Sequence, residues 1–340
     1  TNNYHVCCVY KKDQVGFCTA GWYHLSSCND LLANIPLRLA IYVMITLSLV
    51  GNCICFILHL SNKKIKPHDA LVMNLNFADF IFGVYLGILG TADMVFRDYF
   101  VSIERQWRGS IVCRIAAYLS LFSVIHSSFS LSFMTLCRYL VVAYPMTSSF
   151  REIRKTIKSI CLLSLASVLL SLMIILSAFQ IEEFLELPNP MCLLFDTGGH
   201  ESITMMMSSA ILICVQICSL IVITVLYIAL FLTVRKSRKQ FSKTKRSNGC
   251  GISPSIIMIT ATNMACWLPS SVVFSLSLLS HPVPSSVMSW IPVVVMPINA
   301  AVNPLIFIMT SQKLKTNMLH LLSKFTLTKL NSRDISISKP

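Results

Sequence analysis

The sequence predicts an all-α membrane protein: a seven-transmembrane helix bundle followed by a short amphipathic helix eight. Three observations predict it. Seven apolar stretches run at roughly 37–60, 68–92, 110–141, 155–180, 203–234, 254–280 and 285–309. Each supplies the about 20 apolar residues that a helix needs to cross hydrocarbon, and helices satisfy their own backbone groups there. The 340 residues are 55% hydrophobic and only 12% charged, about half the charge of a soluble domain. Finally, the basic residues alternate from side to side. With Leu37 entering from outside, the loops 61–67, 142–158 and 235–253, the tail from 310 and Arg138 hold 21 of the 28 Lys and Arg. The opposite side holds 7, against 10 acids. That distribution predicts an extracellular N-terminus and a cytoplasmic C-terminus.

Residues 1–36 read as an extracellular Cys-rich, hinge-like segment, too short to bury a core without disulfides or an upstream domain. The chain starts at Thr1 without a signal peptide, so sequence upstream is expected. Cys7, Cys8, Cys18, Cys28, Cys113 and Cys192 fall on the outer side, where oxidising conditions favour disulfides. The pairing of the first four stays open. Cys53, Cys55, Cys161, Cys214, Cys218 and Cys266 lie within spans and read as small hydrophobes.

Residues 37–309 form the seven-transmembrane domain. Its third inner loop, Arg235 to Ser253, carries seven basic residues and no acid, as a lipid-attracted loop or a partner-binding edge. Beyond Met309, Leu314, Met318, Leu321, Leu322 and Phe325 alternate with Lys313, Lys315 and Lys324. That spacing predicts an amphipathic helix over 310–325 on the inner leaflet, then a disordered cytoplasmic tail over 326–340. The net charge of +14 therefore reads as topology and attraction to anionic membrane lipid, and nucleic acid is excluded as a partner.

The polar residues inside the spans say more, because lipid should exclude them. Asp79 lies in the middle of span two, and an ionisable group at that depth costs at least about 2.5 kcal/mol. Span one has Gly51-Asn52, and span two Asn74-Leu75-Asn76-Phe77-Ala78-Asp79. Span three runs from Cys113 to Cys137-Arg138-Tyr139. Span six has Cys266-Trp267-Leu268-Pro269, and span seven Asn299 with Asn303-Pro304-Leu305-Ile306-Phe307. In this order and spacing they resemble the signatures of rhodopsin-like (class A) G-protein-coupled receptors, from span one through helix eight.

The resemblance implies a receptor, not an enzyme, that passes an extracellular signal to a heterotrimeric G protein. It implies a Cys113–Cys192 disulfide over the ligand entrance. Cys113 and Arg138, 25 residues apart, would sit about 37 Å apart at opposite faces of one tilted helix. Asp79, Ser127 and Asn299 match the family's sodium site, with Asn303 close by; a bound sodium ion is then the one candidate cofactor, with Asp79 and Ser127 as metal ligands. The plainer reading is a hydrogen-bond network of Asn52, Asp79 and Asn303. Trp267 and Pro269 resemble the activation switch. A proline deletes a backbone hydrogen bond and kinks the helix, letting the inner half of span six swing. Packing plus a kink is the plainer reading here too. Pro304, Phe307 and Tyr227 belong to the same switch, and Arg138, Tyr144 and Pro145 to the G-protein cleft.

Two departures bear on signalling. Cys137 replaces the acid that usually precedes Arg138, and Gly249 to Ser255 offer none. Basal activity is then raised, or Arg138 is restrained in another way. Phe307 replaces a tyrosine whose hydroxyl would bridge through water to Tyr227.

Further residues indicate a branch. Span five has no proline, and span four no tryptophan. Ser26-Ser27-Cys28-Asn29-Asp30-Leu31-Leu32 and Cys192-Leu193-Leu194-Phe195-Asp196 resemble leucine-rich-repeat-containing receptors. Ser289-Trp290-Ile291 and the 297–304 segment are closer to relaxin receptors than to glycoprotein-hormone receptors. The implied ligand is a relaxin- or insulin-like peptide or protein hormone, bound mainly through an ectodomain. A divergent receptor that no longer couples is kept open by Cys137 and Phe307. A transporter is disfavoured, because no matched pair of broken helices is visible. A membrane enzyme lacks a metal set or nucleophile–base pair at depth; His126, alone in span three, reads as a core or pocket-lining group.

Overall fold

The computed structural model describes residues 6–11, 14–20, 30–32, 34–61, 64–144, 152–179, 189–194, 203–241, 254–279, 281, 283, 287, 290–312, 314–319 and 323. Its spans are Ile35–Leu60, Pro67–Val95, Ile111–Ala143, Ile153–Phe179, Ile203–Phe241, Pro254–Leu278 and Ile291–Thr310. Among the described residues six helices are long and apolar enough to cross a membrane, and Pro254–Leu278 completes the set of seven long helices. The end bearing the Cys113–Cys192 bridge is called the outer end below.

The helix starts follow from local chemistry. Proline occupies the first turn of spans one and two, where its missing N–H costs nothing. Ser110 caps span three, its hydroxyl accepting the Cys113 N–H at 3.1 Å. Asp69 accepts the Lys66 N–H at 3.0 Å and closes the start of span two. Span three is the axis of the bundle, packed against spans two, four and five. Its central window is 67% buried against 22% for span four, so span four turns most of its apolar surface toward lipid.

Spans one, two and seven approach closely through glycine. A Cβ on Gly83 would lie 2.9 Å from Leu49 Cδ2, and one on Gly51 3.0 Å from Pro304 Cγ. Small residues at such crossings let helices pack where lipid supplies no hydrophobic drive. Span one carries a π turn at Leu47–Gly51, and span seven one at Ile291–Val295. Beside the first, Asn52 Nδ2 donates to Ser48 O at 2.8 Å and to Ala300 O at 2.9 Å, joining spans one and seven. Buried donors need such partners.

Two elements go beyond the expected helices. In the segment before span one, β1 (Val6–Lys11) and β2 (Gln14–Ala20) form an antiparallel hairpin with Cys8 opposite Cys18. The all-α expectation therefore describes the bundle and not what precedes it. The side chains of Cys7, Cys8 and Cys18, and the whole of Cys28, lie outside the described residues. The first outer loop holds a helix, Phe100–Gly109, which buries Phe100 and Trp107 and packs against β1. Its Glu104, Arg105 and Arg108 keep it from reading as a span.

Past span seven, residues 314–319 are helical, and Leu314 is buried in the inner core with Met318 against it. Leu321, Leu322, Phe325, Lys313 and Lys324 lie outside the described residues, as do the 242–253 stretch of the third inner loop and the tail from 324.

Gly83→Val should cost about 1–3 kcal/mol by overpacking the Leu49 contact. Gly87→Val, where a Cβ meets nothing within 4 Å, is the control. Thermal melting of the detergent-purified protein should show a lower Tm for the first variant and an unchanged one for the second.

Candidate functional site

The outer end is closed by the second outer loop. Cys113 and Cys192 are disulfide-bonded, and Met191, Cys192, Leu193 and Leu194 are all buried. Cys192 takes a left-handed φ of 55°, which turns the chain inward after the bridge. Three side chains hold this turn by its carbonyls. Trp107 Nε1 donates to Pro190 O at 2.8 Å, Tyr85 Oη to Met191 O at 2.9 Å, and Ser209 Oγ to Leu194 O at 2.9 Å. Asn189 brackets Leu193, donating to its carbonyl and accepting its amide. Beneath lies a small cavity of about 20 Å³ lined by Ser120, Val124, Leu193, Leu194, Gln216 and Met296, among others. Gln216 Oε1 accepts from Ser128, while its Nε2 has no hydrogen-bond partner among the described residues. Phe195 and Asp196 lie outside the described residues.

A second outer feature was not singled out from the sequence. Asp93 is fully buried at the outer end of span two. Its Oδ1 accepts the Leu32 N–H at 2.9 Å, and its Oδ2 accepts Arg38 Nε at 2.7 Å. Arg38 Nη2 also lies 3.3 Å from Asp30 Oδ2. Leu31 and Leu32 are fully buried in the main core. The linker just before span one is thus inserted into the bundle and held by a buried ion pair. An acid in the last turn of one span and a base in the first turn of another were the available signal; as membrane-flanking charges they read as topology alone.

At mid-depth, Asp79 is 2% exposed. Its Oδ2 accepts Asn303 Nδ2 at 2.7 Å, and its Oδ1 accepts Ser127 Oγ at a long 3.5 Å. Spans two, three and seven therefore meet at one carboxylate. Among the described residues, the Oδ1 atoms of Asn52, Asn299 and Asn303 are buried without hydrogen-bond partners. This donor-poor, oxygen-rich set has the chemistry of a hard monovalent cation site. Among the described residues no group of three His, Cys, Asp or Glu could hold a metal ion. His126 does not line the cavity described above: Nδ1 meets Ser167 Oγ at 3.1 Å and Nε2 meets Asn74 Oδ1 at 3.2 Å, which joins spans two, three and four.

Trp267 is buried in the outer core. Pro269 sits inside span six and cannot bond the Ala265 carbonyl; one position on, Ser270 Oγ donates to Cys266 O at 2.7 Å. Pro304 packs on Gly51, and Phe307 lies edge-on to His59 with ring centroids 6.4 Å apart. Tyr227 lines a small inner gap of about 10 Å³ with Leu131, Met134, Thr135, Ile223, Ile259 and Asn263.

At the inner end Arg138 is half-buried and makes no ion pair among the described residues. Its Nη2 lies 3.1 Å from His68 Nε2 and 3.3 Å from His68 Nδ1. Cys137 is buried in the inner core. Tyr144 is 55% exposed, and Pro145 lies outside the described residues.

This arrangement has known counterparts. Residues 51–307 match the family described as 7 transmembrane receptor (rhodopsin family), three-quarters of the chain. The chain belongs to that family. It is 28% identical over 312 residues to G-protein coupled receptor GRL101 of Lymnaea stagnalis, covering 92% of this chain and 28% of that protein. It is 26% identical over 323 residues to relaxin receptor 2 of Homo sapiens, covering 92% and 42%. It is 24% identical over 308 residues to a probable glycoprotein hormone G-protein coupled receptor of Anthopleura elegantissima, covering 90% and 32%. The chain thus spans well under half the length of these curated relatives. As a family member with multiple apolar spans, it is a multi-pass membrane receptor.

Removing one partner of a buried ion pair costs up to about 3–5 kcal/mol, and Arg97, 3.9 Å from Asp93 Oδ2, would offset part of the loss here. Arg38→Met should therefore lower the Tm of the purified protein sharply, and adding Asp93→Asn should recover part of the loss. Additive losses in the double variant would show that the two side chains do not act as a pair.

Proposed function

We propose that the chain is the transmembrane part of a plasma-membrane receptor that passes a peptide or protein hormone signal to a heterotrimeric G protein. The N-terminus faces outward and the C-terminus inward, and the reading assigns no catalytic role. The observation that carries it is the linker Asp30–Leu32, locked into the bundle by Asp93 and Arg38. A signal received upstream has a direct mechanical route into spans one and two through that linker. The resemblance to relaxin receptors favours a relaxin- or insulin-like ligand over a glycoprotein hormone. Two bundle states then differ in whether the linker is fastened, and the state favoured on release has span six swung outward about Pro269. Arg138, Tyr144 and Pro145 would line the cleft that opens, with the basic third inner loop at its edge.

The reading is tested by cyclic AMP and calcium output in cells expressing the chain, beside an Arg138→Ala variant at matched surface level. Output above background that the variant abolishes is expected. Output that survives the substitution would count against coupling through the Arg138 cleft.

Sodium is part of the same proposal. Asp79 and Ser127 would hold the ion, with Asn299 and Asn303 supplying further oxygens; when bound it would neutralise the carboxylate and favour the resting packing of spans two, three and seven. A ligand that binds only the folded state raises its stability. The Tm of the purified protein should rise in sodium chloride relative to equimolar choline chloride, and Asp79→Asn should remove the difference. An equal rise in both salts would refute the site.

A further inference from the structure

Arg138 lies where the helix ends open toward the inner face, and no carboxylate answers it among the described residues. The acid on the neighbouring span, Asp69, accepts the Lys66 N–H at 3.0 Å and closes its own helix start. The residue before Arg138, Cys137, is packed among apolar groups in the inner core. What does reach Arg138 is the imidazole of His68, the second residue of span two. A neutral imidazole offers one ring nitrogen as acceptor, and either nitrogen is within hydrogen-bond distance of Nη2. The rest of the guanidinium is under-used: its Nε is buried without a hydrogen-bond partner among the described residues.

We infer that His68 is a positioning residue for Arg138: it holds the guanidinium at the inner end in place of the missing carboxylate, in a contact that an incoming acceptor displaces. This rests on the receptor reading given above. A carboxylate would bind the guanidinium by two-pronged hydrogen bonds with an opposing charge behind them, whereas a neutral imidazole gives a single bond and no counter-charge. The contact is therefore strong enough to orient Arg138 and weak enough to yield. Span two then restrains span three directly, without help from span six. The alternative is an incidental surface contact with no consequence for Arg138.

Two measurements separate these. The first needs no G protein: the rate at which phenylglyoxal modifies Arg138 in the purified protein in lipid nanodiscs, followed by peptide mass spectrometry. His68→Ala should speed modification of Arg138 about two- to tenfold, the range that one hydrogen bond at a solvent-accessible site supplies, while Arg97 and Arg154 react at unchanged rates. His68→Gln, which keeps an acceptor, should restore most of the protection, and His68→Asp should exceed wild type. The second is basal second-messenger output at matched surface level. His68→Ala should raise it by a similar factor, His68→Asp should lower it, and in the Arg138→Ala background neither should change it. Equal Arg138 modification rates in wild type and His68→Ala would overturn the proposal, as would a basal change that persists without Arg138. If no variant signals while the modification rates differ as expected, the receptor reading fails and the His68–Arg138 contact stands.

Discussion

A carboxylate at the centre of a bilayer can be neither hydrated nor left alone, and Asp79 imposes that constraint on the whole bundle. Its two oxygens take hydrogen bonds from span seven through Asn303 and from span three through Ser127. Leaving either oxygen to lipid would cost several kcal/mol, so the three spans must converge there. The convergence explains why space is so tight nearby. Gly83 clears Leu49, Gly51 clears Pro304, and Asn52 bridges to the Ala300 carbonyl. The surrounding asparagine oxygens find no donor among the described residues, so the centre carries more acceptor capacity than those residues answer.

The two ends treat charge in opposite ways. At the outer end Asp93 is saturated: an amide, a guanidinium and a second nearby arginine surround it, and the linker leucines are sealed into the core. At the inner end Arg138 has, among the described residues, one neutral hydrogen-bond partner and a buried Nε without one. A buried, fully paired carboxylate is rigid, because every alternative arrangement exposes an unpaired charge. A guanidinium with one weak contact can change partners at small cost. The molecule is thus fastened where a signal would enter and loosely held where it would leave. The disulfide and its loop add to the outer rigidity, since Trp107, Tyr85 and Ser209 hold the loop by its backbone rather than by replaceable side-chain contacts.

Much of this was legible in the residues. The spans follow from apolar length, and Asp79, Asn303, Trp267 and Pro269 stand out because lipid should exclude them. Cys113 and Cys192 were paired through the family pattern rather than through any local signal. The missed features share a physical cause. Arg38 and Asp93 sit at helix ends, where charge is ordinary, so nothing in their spacing distinguishes a buried pair from two flanking charges. His68 is polar at a membrane boundary, and its nearness to Arg138 arises only when spans two and three pack. The hairpin at Val6–Ala20 was hidden by its cysteines, which drew the reading toward disulfides and away from the strand pattern. The helix Phe100–Gly109 is too polar to read as a span and is fixed by burying Phe100 and Trp107.

The proposed function requires that the state of the outer linker set the position of span six. The most direct test is the distance between spin labels at 144 and 258, both exposed near the inner ends of spans three and six, in protein reconstituted into lipid. Wild type should show mainly the shorter distance. A variant with Leu31 and Leu32 both replaced by serine, which frees the linker while leaving Asp93 and Arg38 in place, should gain a longer-distance population. Superimposable distributions in two folded samples would contradict the account, because the linker would then be anchored to the bundle without governing it.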